Sequence, residues 1–413
     1  MFKSHEKYKY FLITLDTILN TTSSLLNILY LTNAWDQKLL AEYALMITVA
    51  SMYGQTIFSS LTVCSQIHAK SIFKPNIDCK LASAISTFNI GASSLLLLVS
   101  IFLYLINYKL GTILFSSTLL SIGLAQKLSL NSILISSGNI KELLRYNTIY
   151  WLIYFSIVLL TKPFSLLGFS AISIVCSLSS VILIRGFPNF YMSSFYNFRK
   201  LNLKSVHLYF KQVDISYLHW SLLAWLRQNI NIVSINYCFG ATLTANYFIL
   251  NTYTYNLSIT GLSIIRVIAN KKIYENSTII LNNVHKIGNK FVFALIFIPL
   301  CSLLSYIIST LFVRVLSNSI YLNTLPVTKV LLEYKNLIPI LFVSGIIFTA
   351  GEILLDGYQS SKRWKLLSKI KIILNVFFPM FFVVLILKYS INGAVYGVFV
   401  YALANFWSLL FFL

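Results

Sequence analysis

The sequence predicts an all-α polytopic membrane protein of about twelve transmembrane helices, arranged as two halves of six. Three observations carry that expectation. Charged residues make up 10% of the chain and hydrophobic residues 57%, whereas soluble domains average about 25% charge. Apolar runs long enough to cross a hydrocarbon core of about 30 Å recur from one end to the other. The lysines and arginines gather in alternate connections between those runs, as the positive-inside rule requires.

The runs fall at about 10–31, 39–66, 81–106, 110–135, 148–161 and 164–184, then 213–237, 243–269, 291–312, 336–356, 370–388 and 391–413. Strands of an outer-membrane barrel would be about 10 residues of strict alternation. These runs are mostly far longer and do not alternate, so they are read as helices. The first follows a basic stretch, MFKSHEKYKY, lacks a small-residue cleavage site and carries Asp16 and Asn20. It is expected to be a retained span. The fifth run is short and is expected to extend into its neighbours.

With the N-terminus inside, the inner connections hold 22 of the 32 Lys and Arg and the outer ones 7. Lys127, Arg227 and Arg266 remain within spans. That bias predicts an even number of spans with both termini cytoplasmic. It also accounts for most of the net charge of +21 as loop charge facing anionic lipid, so nucleic acid is not an expected partner.

The longest inner connection, 185–212, is basic and aromatic and reads as a linker. It divides an N-terminal lobe, 1–184, from a C-terminal lobe, 213–413. The halves echo one another. AEYALMITVASMYGQ from Ala41 and ANYFILNTYTYNLSITG from Ala245 both open Ala-x-Tyr. ILISSGNIKELLRYN and ILLDGYQSSKRWKLL each close a fourth span with a basic hairpin. Two parallel six-helix repeats are a transporter plan with the path between halves.

Catalytic signatures are missing. The chain has no HExxH, GxSxG, Walker A or GxGxxG,. It has 11 acids in all and no large outer loop, which disfavours a membrane glycosyltransferase or polymerase. Five scattered cysteines without a CxxC give neither a metal spacing nor a disulfide framework,. No cofactor is expected.

Polar residues inside spans are where function is sought, because a cation at the bilayer centre is costly and usually faces a wet interior. Arg227 lies mid-span in LLAWLRQNINIV, with Asn231 one turn on and Gln228 and Asn229 beside it. Either this stripe grips an anionic or sugar-bearing ligand, or Arg227 is neutralised by an acid such as Asp16. Lys127 lies in SIGLAQKLSLNSILI, after Gln126 and one turn before Asn131. It lines a cavity or snorkels. Arg266 lies near the inner end of its span, where it snorkels or joins the same set. Asp16, Asn20 and Asn27 share a face of the first helix and form a protonation site, a partner for a cation, or a packing stripe. Glu352 and Asp356, beside SKRWK, are expected to form an interfacial ion pair.

Size, twelve spans in two halves, LAEYALMITVASMYGQ, SSGNIKELLRYN and QNINIVSINYCFGATLTANYFILNTYTYN together resemble a Wzx-type O-antigen flippase of the polysaccharide transporter family. That family shares a superfamily with the multidrug and toxin extruders. The resemblance covers nearly the whole chain without a strict motif. It implies two six-helix lobes around a central cavity, in the cell inner membrane. It implies as cargo an undecaprenyl-pyrophosphate-linked oligosaccharide, moved from inner to outer leaflet for lipopolysaccharide or related polysaccharide biosynthesis. It further implies coupling to a proton or sodium ion and a polysaccharide polymerase as partner. On this reading Arg227, Lys127, Asn231, Gln228, Asn131 and Arg266 would contact cargo, and Asp16 would carry the coupling ion. The alternative is a cation-coupled multidrug exporter of the same fold, which would call for interior carboxylates rather than cations.

Overall fold

Every one of the twelve expected spans is represented by helix in the computed structural model, which describes residues 2–53, 94–136, 140–162, 165–183, 215–262, 290–360 and 364–411. No strand occurs among the described residues. The first six helices are α1 (Phe2–Ala34), α2 (Gln37–Met52), α3 (Ser94–Ile106), α4 (Tyr108–Ser136), α5 (Ile140–Thr161) and α6 (Leu166–Leu183). Next come α7 (Ile215–Phe239), α8 (Ala241–Asn251, helical on to residue 262), α9 (Lys290–Asn318) and α10 (Ile338–Ser360). The last helical stretch, Trp364–Phe411, is broken at Ser390, which has φ 53° and ψ −130°; its limbs are α11 (364–389) and α12 (391–411). The expected linker, 185–212, lies outside the described residues.

Local chemistry explains the punctuation. Asp36 caps α2, its Oδ1 accepting from the Leu39 N–H at 2.7 Å, and Ser165 caps α6 through the Gly168 N–H at 3.2 Å; short polar side chains satisfy first-turn N–H groups that have no partner inside the helix. Gly240, at φ 86°, breaks α7 from α8 in a conformation that costs glycine little. Within α8, Thr252–Asn256 winds as a π turn. Helix α5 begins at Ile140, earlier than the run at 148 suggested. Its first turns bury Leu143, Tyr146 and Asn147, so packing extends the helix through a segment that reads as a hairpin.

Contacts divide the chain into two units, and the division falls inside α1. Met1–Asn20 and Glu42–Trp225 form the first; Thr21–Ala41 and Leu226–Leu413 form the second. In the first, α6 packs against α4 and α5. Both helices are rich in small buried residues: Ser117, Thr118 and Ser121 on α4, and Ser170, Ser173, Ser177 and Ser180 on α6. A Cβ on Gly123 would stand 2.7 Å from Ser173 Oγ and 3.0 Å from its carbonyl carbon. Apolar lipid offers no hydrophobic drive between helices, so close backbone approach of this kind supplies the packing.

In the second unit, α10 packs on the hairpin of α11 and α12, and α9 packs on α10. The hairpin is antiparallel and in register. The Lys371 Nζ donates to Asn405 Oδ1 at 2.6 Å, and the Tyr401 hydroxyl donates to Asn375 Oδ1 at 3.4 Å. Gly393 lets the limbs close near the break, since a Cβ there would meet the Leu385 carbonyl. Tyr401, Phe382 and Phe406 are among the largest fully buried side chains. Phe378 sets its ring edge-on to Tyr401 at 5.1 Å.

Candidate functional site

Two buried polar clusters stand out, one in each unit. The first is assembled from α1, α4 and α5. Asp16 and Asn20 are one turn apart on α1, and the Asn20 amide donates to the Asp16 backbone carbonyl at 2.9 Å. Asn147, fully buried on α5, donates to Asp16 Oδ1 at 2.7 Å. Lys127 on α4 is 9% exposed, and its ammonium donates to Asn20 Oδ1 at 3.1 Å. The same oxygen accepts from Trp151 Nε1 at 2.9 Å. The ammonium lies 4.1 Å from the Tyr150 ring centre and 4.4 Å from that of Trp151, within the range of cation–π attraction. Asp16 is in Coulombic range of it.

The second cluster is built on α7, α8, α10, α11 and α12. Arg227 is 6% exposed. Its guanidinium carbon sits 4.0 Å from the Tyr401 ring centre and 5.4 Å from that of Phe348. Its Nε has no hydrogen-bond partner. Tyr255, brought in by the π turn, is in electrostatic range of Arg227 and in ring contact with Phe348 at 6.2 Å. One turn from Arg227, Asn231 is buried, donates to the Tyr247 hydroxyl at 3.1 Å and leaves its own Oδ1 unpartnered.

Near the far ends of α10 and α11, Lys371 meets Glu352 Oε1 at 3.2 Å, with the lysine side chain 3% exposed and the glutamate 16%. Gly351 lies against Asn405, where a Cβ would stand 2.8 Å from the amide nitrogen.

The expected site residues are thus distributed unevenly. Arg227 and Asn231 share a buried face, as their spacing requires. Gln228 is exposed and does not widen that face inward. Asn131 is half-buried with its Oδ1 unpartnered, while Arg266 lies outside the described residues. Within its own unit Asp16 is held by Asn147, and within its own unit Arg227 lies on Tyr401. Asn27 is buried but groups with the second unit, whereas Asp16 and Asn20 group with the first.

Sequence reasoning placed Lys371 in an inner connection; the structure buries it against an acid and an amide. It also missed Asn147, Trp151, Tyr401 and Asn405. The signal was present as two matched i, i+4 pairs, Lys371–Asn375 and Tyr401–Asn405, on the limbs of one hairpin.

No family model matches the chain, and no curated protein sequence does. Solved structures do. The eukaryotic MATE transporter AtDTX14 matches with a TM-score of 0.65 at 15% identity, covering 100% of this chain and 95% of that one. The Vibrio cholerae MATE transporter VcmN matches at 0.58 and 12%, covering 97% and 94%. A transporter of the MOP superfamily from Pyrococcus furiosus matches at 0.57 and 12%, covering 97% and 93%. At such identities the likeness is one of fold, and it runs the length of the chain. The chain is a polytopic helical membrane protein with the twelve-helix fold of the MATE/MOP transporters.

Proposed function

We propose that the chain is a flippase for an undecaprenyl-pyrophosphate-linked oligosaccharide, the repeat unit of O-antigen or a related surface polysaccharide. It carries this cargo from the inner to the outer leaflet of the bacterial cytoplasmic membrane, with both termini cytoplasmic, and hands it to a polysaccharide polymerase. Arg227 carries the reading. It is a buried guanidinium with an unpartnered Nε and no carboxylate within 4 Å among the described residues. Arginine stays charged under all ordinary conditions, and its planar fork matches a phosphate oxygen pair. Tyr401 and Phe348 lie against the guanidinium, and Nε keeps a donor for an anion. Asn231, with a free acceptor one turn away, suits a sugar hydroxyl. The Pyrococcus furiosus protein is described by the reverse polarity of its binding pocket, which suggests a different function; pocket polarity therefore varies within this fold.

A second reading, a multidrug exporter coupled to a proton or sodium ion, is favoured by Asp16, the carboxylate of the first cluster. The two separate on Arg227. Replacement Arg227→Ala should cut translocation of lipid-linked repeat units by on the order of 10- to 100-fold, the worth of one charge-assisted hydrogen bond, with protein level in the membrane retained. Arg227→Lys should keep part of the activity. Normal delivery of repeat units to the outer leaflet by Arg227→Ala, or after deletion of the gene, would end the flippase reading.

A further inference from the structure

The first cluster has the architecture of a cation-binding cage whose occupant is part of the chain. The Lys127 ammonium has an amide oxygen at 3.1 Å and two ring faces at 4.1 and 4.4 Å. The Asp16 carboxylate is in Coulombic range. Asn147, fully buried, donates one amide hydrogen bond to Asp16 and leaves its Oδ1 without a partner. Amide oxygens, a carboxylate and the faces of Tyr and Trp are the groups that bind a free monovalent cation, an ammonium above all. Asn20 is held in place for that task, because the Trp151 indole N–H and the ammonium converge on one oxygen.

We propose that Lys127 is a tethered cation filling a cage that would otherwise take a small free monovalent cation, so that no sodium ion is needed at this place. This is independent of the cargo and does not rest on the flippase reading. Removing the lysine side chain would leave Asp16 beside open amide oxygens and two exposed ring faces. Asp16 is half-buried, and a carboxylate withdrawn from water without its cation is unfavourable, so the emptied cage should recruit one from solution.

The test uses the purified full chain, with thermal unfolding and tryptophan emission as readouts. N-methylglucamine, too bulky for the cage, is the reference cation at constant ionic strength. The wild type should respond alike to N-methylglucamine, sodium and methylammonium. Lys127→Ala should show a saturable rise of several degrees in its unfolding midpoint with methylammonium or sodium, and a matching emission change from Trp151. The double variant Asp16→Asn/Lys127→Ala should lose both. A folded Lys127→Ala protein with no saturable response would overturn the proposal, as would a saturable sodium response in the wild type. If Lys127→Ala cannot be recovered in N-methylglucamine, recovery during extraction with methylammonium becomes the readout, and failure in every cation overturns the proposal. None of these measurements involves transport, so a failure here leaves the flippase reading standing.

Discussion

Lys127 and Arg227 are both cations in apolar spans, and the two units accommodate them in opposite ways. In the first unit the ammonium is met by Asn20, by the rings of Tyr150 and Trp151, and by the field of Asp16. In the second, Arg227 is given aromatic faces but no acid within 4 Å among the described residues, while Glu352, half-buried, is spent on Lys371. The contrast teaches that burial alone does not mark a ligand contact. A cation surrounded by an amide oxygen, two ring faces and the field of a carboxylate holds helices together. A cation with no acid beside it has charge to offer a ligand. Sequence ranks the two residues alike; only their surroundings separate them.

The contrast can be broken experimentally, and the largest effect is expected at Lys371. Replacement Lys371→Met leaves Glu352 and Asn405 without their partner, and loss of one member of a buried pair costs about 3–5 kcal/mol. Thermal unfolding should show the loss, and the double variant Glu352→Gln/Lys371→Met should recover much of it. An undiminished unfolding midpoint in the single variant would mean that the pair is not structural.

Next come the glycines that bring the fourth and sixth helices of each half together. At Gly123 a new Cβ meets the backbone of Ser173, with its carbonyl carbon at 3.0 Å and its oxygen at 3.1 Å. Backbone cannot step aside, and Gly123→Ala should cost about 1–3 kcal/mol. At Gly351 the near neighbour is the end of the Asn405 side chain, with backbone no nearer than 3.6 Å, so Gly351→Ala should cost less than about 1 kcal/mol. Equal losses in the two unfolding curves would contradict the difference drawn between the helix pairs.

The smallest effect is expected for Tyr401→Phe, which keeps the face beneath Arg227 and gives up only a long hydroxyl contact to Asn375. Tyr401→Leu removes that face, worth about 0.5–2 kcal/mol, together with ring packing on Phe378 and Phe382. Stability that falls as far in the phenylalanine variant as in the leucine variant would show that the hydroxyl, not the ring, supports Arg227.

Much of this was open to a reader of the sequence. Arg227 with Asn231, and Asp16 with Asn20, are one-turn pairs, and helical geometry put each pair on a common face in advance. The span positions followed from run length, and α5 was expected to outgrow its apolar run. What periodicity could not rank was Gln228, one residue from Arg227 and therefore about 100° around the helix; it is exposed. Lys371 was misplaced because it stands at the basic edge of an apolar run, where a lysine is ordinarily in the interface. Nothing local distinguishes it from Lys369, which is exposed.

The sequence by itself determined that this protein is a bundle of membrane-spanning helices. With 10% charged residues the chain lies in lipid, where only helices and closed barrels satisfy the backbone, and its long runs without alternation leave helices. It also placed Asp16, Asn20, Lys127, Arg227 and Asn231 inside spans, though not Asn147 or Lys371. The tertiary structure decided which of those residues are partners. Lys371 meets Asn405 because a hairpin closes at Ser390, and Lys127 meets Asn20 across 107 positions of chain. Such pairings depend on the register between separate helices. The small residues and glycines that permit close approach set that register, and no single helix carries the information alone.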